Sequence, residues 1–345
     1  MVGSDLSRNC ALAYRWPPMT VAATFPSRRS RLIWIAVWAV LAAGLVYAAS
    51  SLSWAEVLAA AGRADAVWLL VAFLINLANT PLWALCWICL LGRKAPVPLI
   101  SLTRILAVVA AAIQAFSVVG GGATAFVLIT GRLGLSKPRT ASLLVMEGLT
   151  TGLVKTILVG AALVLAPGEA ILRGIGAALL AGMGGGLIGL IFVSRSGALL
   201  HKLAARIGGR ARVWIEHLAD WTAHLDAVRN PSRLGGAVLF MLLRRLLEGL
   251  SAWFVARACG ISAGPEIILL VVASIAIVTM IPVPAGNLGL YELAVVAAYQ
   301  WAGVSPEVAL AAALLQHALF LLAVLAPGAL VLLFEAGGAR RKSAP

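Results

Sequence analysis

The residues of this sequence with the most chemistry to offer are ionisable side chains set deep in apolar runs. Glu147 stands about ten residues into the apolar stretch 138–166, near mid-depth for a segment that crosses a bilayer. His317 occupies the matching depth in the stretch 306–334. A charge at such depth costs roughly 2.5–3.5 kcal/mol on insertion scales, so it is kept wet or paired and marks a functional position by default. Glu147 and His317, brought together, would suit proton coupling, because histidine titrates near neutral pH. The structural alternative for Glu147 is an ion pair with Lys155, two turns on. In the stretch 234–259, Arg244 and Glu248 are four apart, the spacing of an intrahelical ion pair. That pairing leaves Arg245 to face a phosphate, which a guanidinium grips through two parallel hydrogen bonds. Arg104 and Gln114 share the stretch 97–118, and Arg104 is close enough to its end to reach the headgroup layer.

Two breaks in the apolar pattern are the second source of chemistry. "VVGGGATAFVLITGRLGLSKP" begins at Val118 and carries Gly121 and Gly122, while "IPVPAGNLGLYELAVVAAYQWAGVSP" begins at Ile281 and carries Gly286, Asn287, Gly289 and Glu292. Each interrupts an apolar region, resumes for a short apolar run and closes on Gly-x-Ser followed by Pro. Irregular backbone at membrane depth is tolerated only where it is buried in protein or lines a wet cavity. Broken helices of this kind present their end dipoles to a ligand near the midplane. Glu292, three residues after Gly289, is placed to cap the short helix that follows. The plainer alternative is that both breaks only let helices pack closely.

The elements that must carry these residues are membrane helices. The chain has 345 residues, 62% hydrophobic and 12% charged, with mean hydropathy +1.00; a soluble domain carries about 25% charged residues. The expected fold is all-α, a polytopic membrane protein with about eight transmembrane helices plus two re-entrant helices in an inverted repeat. The spans are 32–49, 66–91, 97–118, 138–166, 170–193, 234–259, 265–281 and 306–334, and the re-entrant segments are 122–131 and 287–302. With the N-terminus cytoplasmic, most of the 27 basic residues fall in inner loops. A full crossing by either short segment would invert everything after it and spoil that asymmetry. The first hairpin then enters from the cytoplasm and the second from outside. This organisation predicts a disordered basic N-terminus over 1–30, a transmembrane domain over 31–335 and a basic cytoplasmic tail over 336–345. The transmembrane domain divides into halves 31–193 and 234–335 around a cytoplasmic amphipathic segment, 194–233.

The net charge of +14 is read as topogenic, and no nucleic-acid partner is expected, because no soluble domain carries basic clusters interleaved with aromatics. Cys86 and Cys89 have redox-motif spacing but lie in an apolar span, so packing is their expected role, with no disulfide, metal or cofactor. Ser27-Arg28-Arg29 ahead of an apolar run reads as an uncleaved signal anchor, with Met19 a second candidate start. In 196–233, apolar residues from Leu199 to Leu225 recur at helical spacing opposite basic ones, which suits a helix lying on an anionic lipid surface. His217 and His224 in that segment read as a solvated face rather than metal ligands. Trp34, Trp38, Trp54, Trp68, Trp83, Trp87 and Trp253 are expected at the membrane interface and in packing.

The stretch "IPVPAGNLGL" with Glu292 resembles a hydrophobic-Pro…Gly-Gly-Leu-Gly…Glu signature, matched at Pro282, Gly286, Leu288, Gly289 and Glu292, with Asn287 replacing a glycine. "GVSPEVALAAALL" downstream is similar to the same family, and "GRLGLSKPRTASLLVMEGL" resembles its first-half counterpart, with Glu147 in the acidic place. The family is the flippase-like transmembrane domain of lysylphosphatidylglycerol synthases, which includes stand-alone members, some linked to hopanoid biosynthesis. The resemblance spans roughly residues 30–335. It implies a bacterial inner-membrane protein, both termini cytoplasmic, that moves or binds a polar-headgroup lipid between leaflets through a midplane cavity. Aminoacyl-lipid synthesis is not expected, because little chain remains after residue 335 for a soluble transfer domain. Two other functions stay open on the sequence. One is a non-catalytic subunit of a lipid-synthesis complex, partnered by its enzymes. The other is an intramembrane lipid-modifying enzyme, although the sequence offers no paired nucleophile and base and the expectation is of no enzyme.

Overall fold

A computed structural model of the chain describes residues 53–92, 97–165, 230–281 and 285–343, with scattered positions between 174 and 216. The expectations for 1–30 and the span 32–49, most of 170–193, and His217 and His224 lie outside the described residues. One compact unit, Leu52–Val331, holds every ionisable residue singled out above for the membrane interior.

The described residues are helical, with no strand among them. In chain order the helices are α1 (Trp54–Gly62), α2 (Ala66–Leu77), α3 (Asn79–Leu91), α4 (Leu99–Leu133), α5 (Lys137–Leu165), α6 (Gly197–Arg206), α7 (Pro231–Ala258), α8 (Pro265–Val278), a 3-10 turn (Ala285–Asn287), α9 (Leu290–Trp301) and α10 (Pro306–Ser343). Ala66–Leu91, Leu99–Phe116, Lys137–Leu163 and Pro306–Ala336 are each long and apolar enough to cross a membrane. Leucines such as Leu70, Leu74, Leu239 and Leu322 are more than half exposed, as lipid-facing residues are.

Local chemistry sets the helix starts. The Asp65 side chain accepts from the Val67 N–H at 2.8 Å, and Asn230 from the Arg233 N–H at 3.2 Å, each holding a donor that a helix start leaves unpaired. Pro231 and Pro265 stand at first helical positions, where a missing N–H costs nothing. The two Gly-x-Ser…Pro closings prove to be one device used twice. Gly134 (φ 63°) and Gly303 (φ 79°) turn left-handed to end the short helix before them. The Ser136 and Ser305 carbonyls then accept the first bonds of the next helix, from Thr140 and Ala309, both at 2.9 Å.

α4 folds back on itself. In a straight helix, Ile113 and Gly121 would be about 12 Å apart. Instead, a Cβ on Gly121 would lie 3.0 Å from the Ile113 Cα, so the chain reverses between the limbs Leu99–Phe116 and Val119–Leu133. Gly121→Val is expected to push the limbs apart and destabilise the fold by about 1–3 kcal/mol, the usual cost of overpacking. Thermal unfolding in detergent checks this; an unchanged midpoint would mean that the limbs do not meet there.

The two halves run through the same order of elements: a limb, a break, a short helix, a long helix. Their packing is reciprocal. Gly328 of α10 lies against the first limb of α4, where a Cβ would be 2.7 Å from the Ala107 carbonyl oxygen and from the Ala111 Cβ. Val159 of α5 packs with Ala273 of α8, and Ile277 joins them. Counted from the start of each helix, Gly328 corresponds to Val159 and Ala107 to Ala273. Each half's long helix therefore lies on the other half's first limb at equivalent positions. A polar string ties α2 and α3 to α7: Asn79 Nδ2 donates to Asn76 Oδ1 at 3.4 Å, Asn76 Nδ2 to Ser251 Oγ at 2.8 Å, and Ser251 Oγ to the Ala72 carbonyl at 3.2 Å.

Candidate functional site

A cavity of about 440 Å³ lies where α3, α4, α5, α7, α8, the 3-10 turn, α9 and α10 meet. Its wall carries three cationic side chains, Lys155, Arg244 and Arg245, against the carboxylates Glu147 and Glu248. Gln114, Gly286, Asn287 and His317 line it as well. Nine of the residues singled out in the sequence for the membrane interior and the breaks thus share one wall, drawn from both halves of the chain.

The pairings differ from those expected. Arg245, not Arg244, holds Glu248, with Nη1 2.6 Å from Oε2 and both side chains mostly buried. Three and four residues are both neighbours on a helix face, so spacing alone does not choose between the two arginines. Arg244 lies with its guanidinium 5.0 Å from the Trp83 ring centroid, a cation–π contact, and makes no ion pair among the described residues. Glu147 does not pair with Lys155. It accepts from Trp83 Nε1 at 3.1 Å and from Thr151 Oγ1 at 3.0 Å. Lys155, 9% exposed, donates to Thr279 Oγ1 at 3.0 Å, an oxygen that in turn donates to the Ile275 carbonyl at 2.6 Å. Lys155 and Arg244 therefore have no direct carboxylate partner among the described residues, although Glu147 and Glu248 share the wall with them.

His317 and Glu147 line the same cavity but are not bonded to one another. His317 is 2% exposed, stacked on Tyr291 at 4.1 Å between centroids, with Nδ1 2.7 Å from Glu292 Oε1. The other Glu292 oxygen accepts the Gly289 N–H at 2.7 Å, the N-terminal cap that its position in the sequence suggests. A carboxylate already serving as acceptor there requires Nδ1 to carry the proton, which leaves Nε2 as the free position of the ring. His317 Nε2 and Asn287 Oδ1 are both buried without a partner among the described residues. Gly286 (φ 69°), Asn287 (φ 59°) and Gly289 (φ 86°) all take left-handed backbone. Asparagine is among the few residues with a side chain that tolerate this region, which explains how it stands in for a glycine.

Other expected site residues fall elsewhere. Arg104 is exposed and away from the cavity. Gly121 is buried against Ile113, and Gly122 meets open space; neither lines the cavity. Gly289 and Glu292 stand behind the wall and act on it through His317. Trp83, expected in the interface belt or in general packing, is 5% exposed and bonded to Glu147. Its neighbours Asn76 and Asn79, two amides in an otherwise apolar run, are a signal from which this role could have been read. Cys86 and Cys89 are free thiols, and no cluster of metal-ligating residues occurs among the described residues.

Long apolar helices enclosing a charged cavity define an all-α polytopic membrane protein. The chain belongs to the lysylphosphatidylglycerol synthase TM region family, whose model matches residues 33–328. That membership places it among membrane proteins related to lipid handling. No curated protein and no solved structure matches the chain.

Proposed function

We propose that this protein moves a lipid with a phosphate-bearing headgroup between leaflets, the headgroup passing through the cavity. The observation that carries this reading is the basic excess at the cavity wall: three basic side chains, Lys155, Arg244 and Arg245, face two carboxylates, Glu147 and Glu248. An uncompensated cation at membrane depth is retained when a ligand's charge compensates it. The two halves then insert in opposite senses, with about 97–131 and about 265–302 as re-entrant hairpins whose breaks meet at the cavity. The basic loops set both termini on the cytoplasmic side of a bacterial inner membrane. Gly197–Arg206, with Lys202, Leu203 and Arg206 exposed, lies on the anionic inner leaflet. In this reading the protein catalyses no covalent step.

The test is reconstitution into liposomes of phosphatidylcholine and phosphatidylglycerol with a fluorescent phospholipid, measuring how fast its inner-leaflet fraction becomes open to a membrane-impermeant quencher. Exchange well above protein-free vesicles is expected, and Lys155→Met is expected to slow it by about tenfold, the scale of one hydrogen bond to a charged group. Folded protein that leaves the rate at the protein-free level would end this reading.

A further inference from the structure

A second concavity, of about 620 Å³ and almost wholly apolar, runs between α5, α7 and α8, lined by Leu158, Leu246, Leu250, Trp253, Leu269 and Val272. Its size suits one small ligand or chain, since such sites run to roughly 300–1,000 Å³. Arg245 is the residue common to this groove and to the charged cavity. Its bond to Glu248 holds the guanidinium at the boundary, and its Nε is buried without a partner among the described residues. One turn on, Gly249 lets α7 approach α8 at the groove floor, where a Cβ would lie 3.2 Å from Val272 Cγ2.

We infer that the groove holds one acyl chain of the lipid whose phosphate sits at Arg245, so that both concavities form a single site for one lipid molecule. The inference rests on the lipid reading above and adds what selects the occupant. Lipid surrounds this face, so a tail gains little hydrophobic free energy by leaving the bilayer for the groove. Preference for the groove over any other apolar surface must come from its polar end. The free Arg245 Nε–H offers a charge-assisted hydrogen bond to a phosphate oxygen. A chain attached to that phosphate is then held in the groove by its own covalent connection, at the high local concentration that a short tether gives.

The experiment uses full-length protein in phosphatidylcholine nanodiscs containing a trace of phosphatidylglycerol with a photoactivatable diazirine in one acyl chain. Irradiation and peptide mapping are expected to place label on 246–253 and 265–272, well above the lipid-facing leucines of 314–325. A diacylglycerol with the same labelled chain, which lacks phosphate, is expected to label both faces equally. Arg245→Gln should cut groove labelling by phosphatidylglycerol by about tenfold, and Arg245→Lys should restore part of it. Leu269→Trp, which fills the groove and leaves the charges in place, should remove it. Groove labelling equal to the control face, or equal for the two probes, overturns the inference. Liposome exchange without preferential groove labelling overturns it too, while leaving the transport reading intact. Arg245-dependent labelling without liposome exchange supports the lipid site and removes transport as its purpose.

Discussion

Replacing Arg244 with glutamine is expected to slow lipid exchange by roughly tenfold to a hundredfold while leaving the protein as stable as before or slightly more so. The two readouts move apart because the arginine is not there to hold the fold together. Its contact with the Trp83 ring, at 5.0 Å, contributes on the order of 0.5–2 kcal/mol. Against that stands a cost of about 2.5–3.5 kcal/mol for a charge at membrane depth, which Glu147 and Glu248 on the same wall offset in part. Neutralising the side chain removes both effects, and they nearly cancel. Activity falls for a separate reason: a hydrogen bond from a charged donor to the headgroup is worth about 1.5–3 kcal/mol. Exchange assays in liposomes and thermal unfolding in detergent, run on the same preparation, check both signs. Parallel loss of stability and exchange would assign Arg244 a structural role.

The second large effect falls on Glu292. Its two oxygens do different work: one accepts the Gly289 N–H at the start of α9, and the other fixes the buried imidazole of His317. Glu292→Ala removes a helix cap, about 0.5–2 kcal/mol, and leaves a buried ring nitrogen unsatisfied, about 1–3 kcal/mol. A loss of roughly 2–4 kcal/mol is expected from the two together, read as a lower denaturation midpoint. Glu292→Gln separates these roles. The amide oxygen keeps the Gly289 N–H, so most of the stability returns. Its NH2 then faces Nδ1, which must become an acceptor, and the ring proton moves to Nε2 at the cavity wall. Nitrogen-15 NMR of labelled histidine distinguishes the two tautomers. A ring that keeps its proton on Nδ1 in the glutamine variant would show that Glu292 does not set its orientation.

Most of the scaffold was legible in the chain because its signals are local. Apolar runs of bilayer length, prolines at first helical positions and the paired Gly-x-Ser…Pro closings each act within a few residues. They predicted Ala66–Leu91 as a span and the short helices after both breaks. Glu147, Arg244, Arg245, Glu248, Gln114 and His317 stood out because polar groups are costly in apolar surroundings. Partner choice was not legible. Arg244 and Arg245 both reach Glu248 along one helix, and the Trp83 ring, 161 positions upstream of Arg244, is what draws one of them away. Arg104 misled because its distance from a span end shows how deep it lies, not which way it points.

By itself, then, the sequence determined that this chain is a bundle of membrane helices, where several of its helices begin, and which buried polar groups require an explanation. Propensity, capping and hydropathy are properties of neighbouring residues, and they need no knowledge of the fold. Only the tertiary structure decided that Lys155 turns to Thr279 rather than Glu147, that His317 belongs to Glu292, and that Arg245 joins a charged cavity to an apolar groove. The reason is physical. An ionisable group buried among apolar helices takes whichever partner the packing brings within about 3 Å, and packing is settled by both halves of the chain at once.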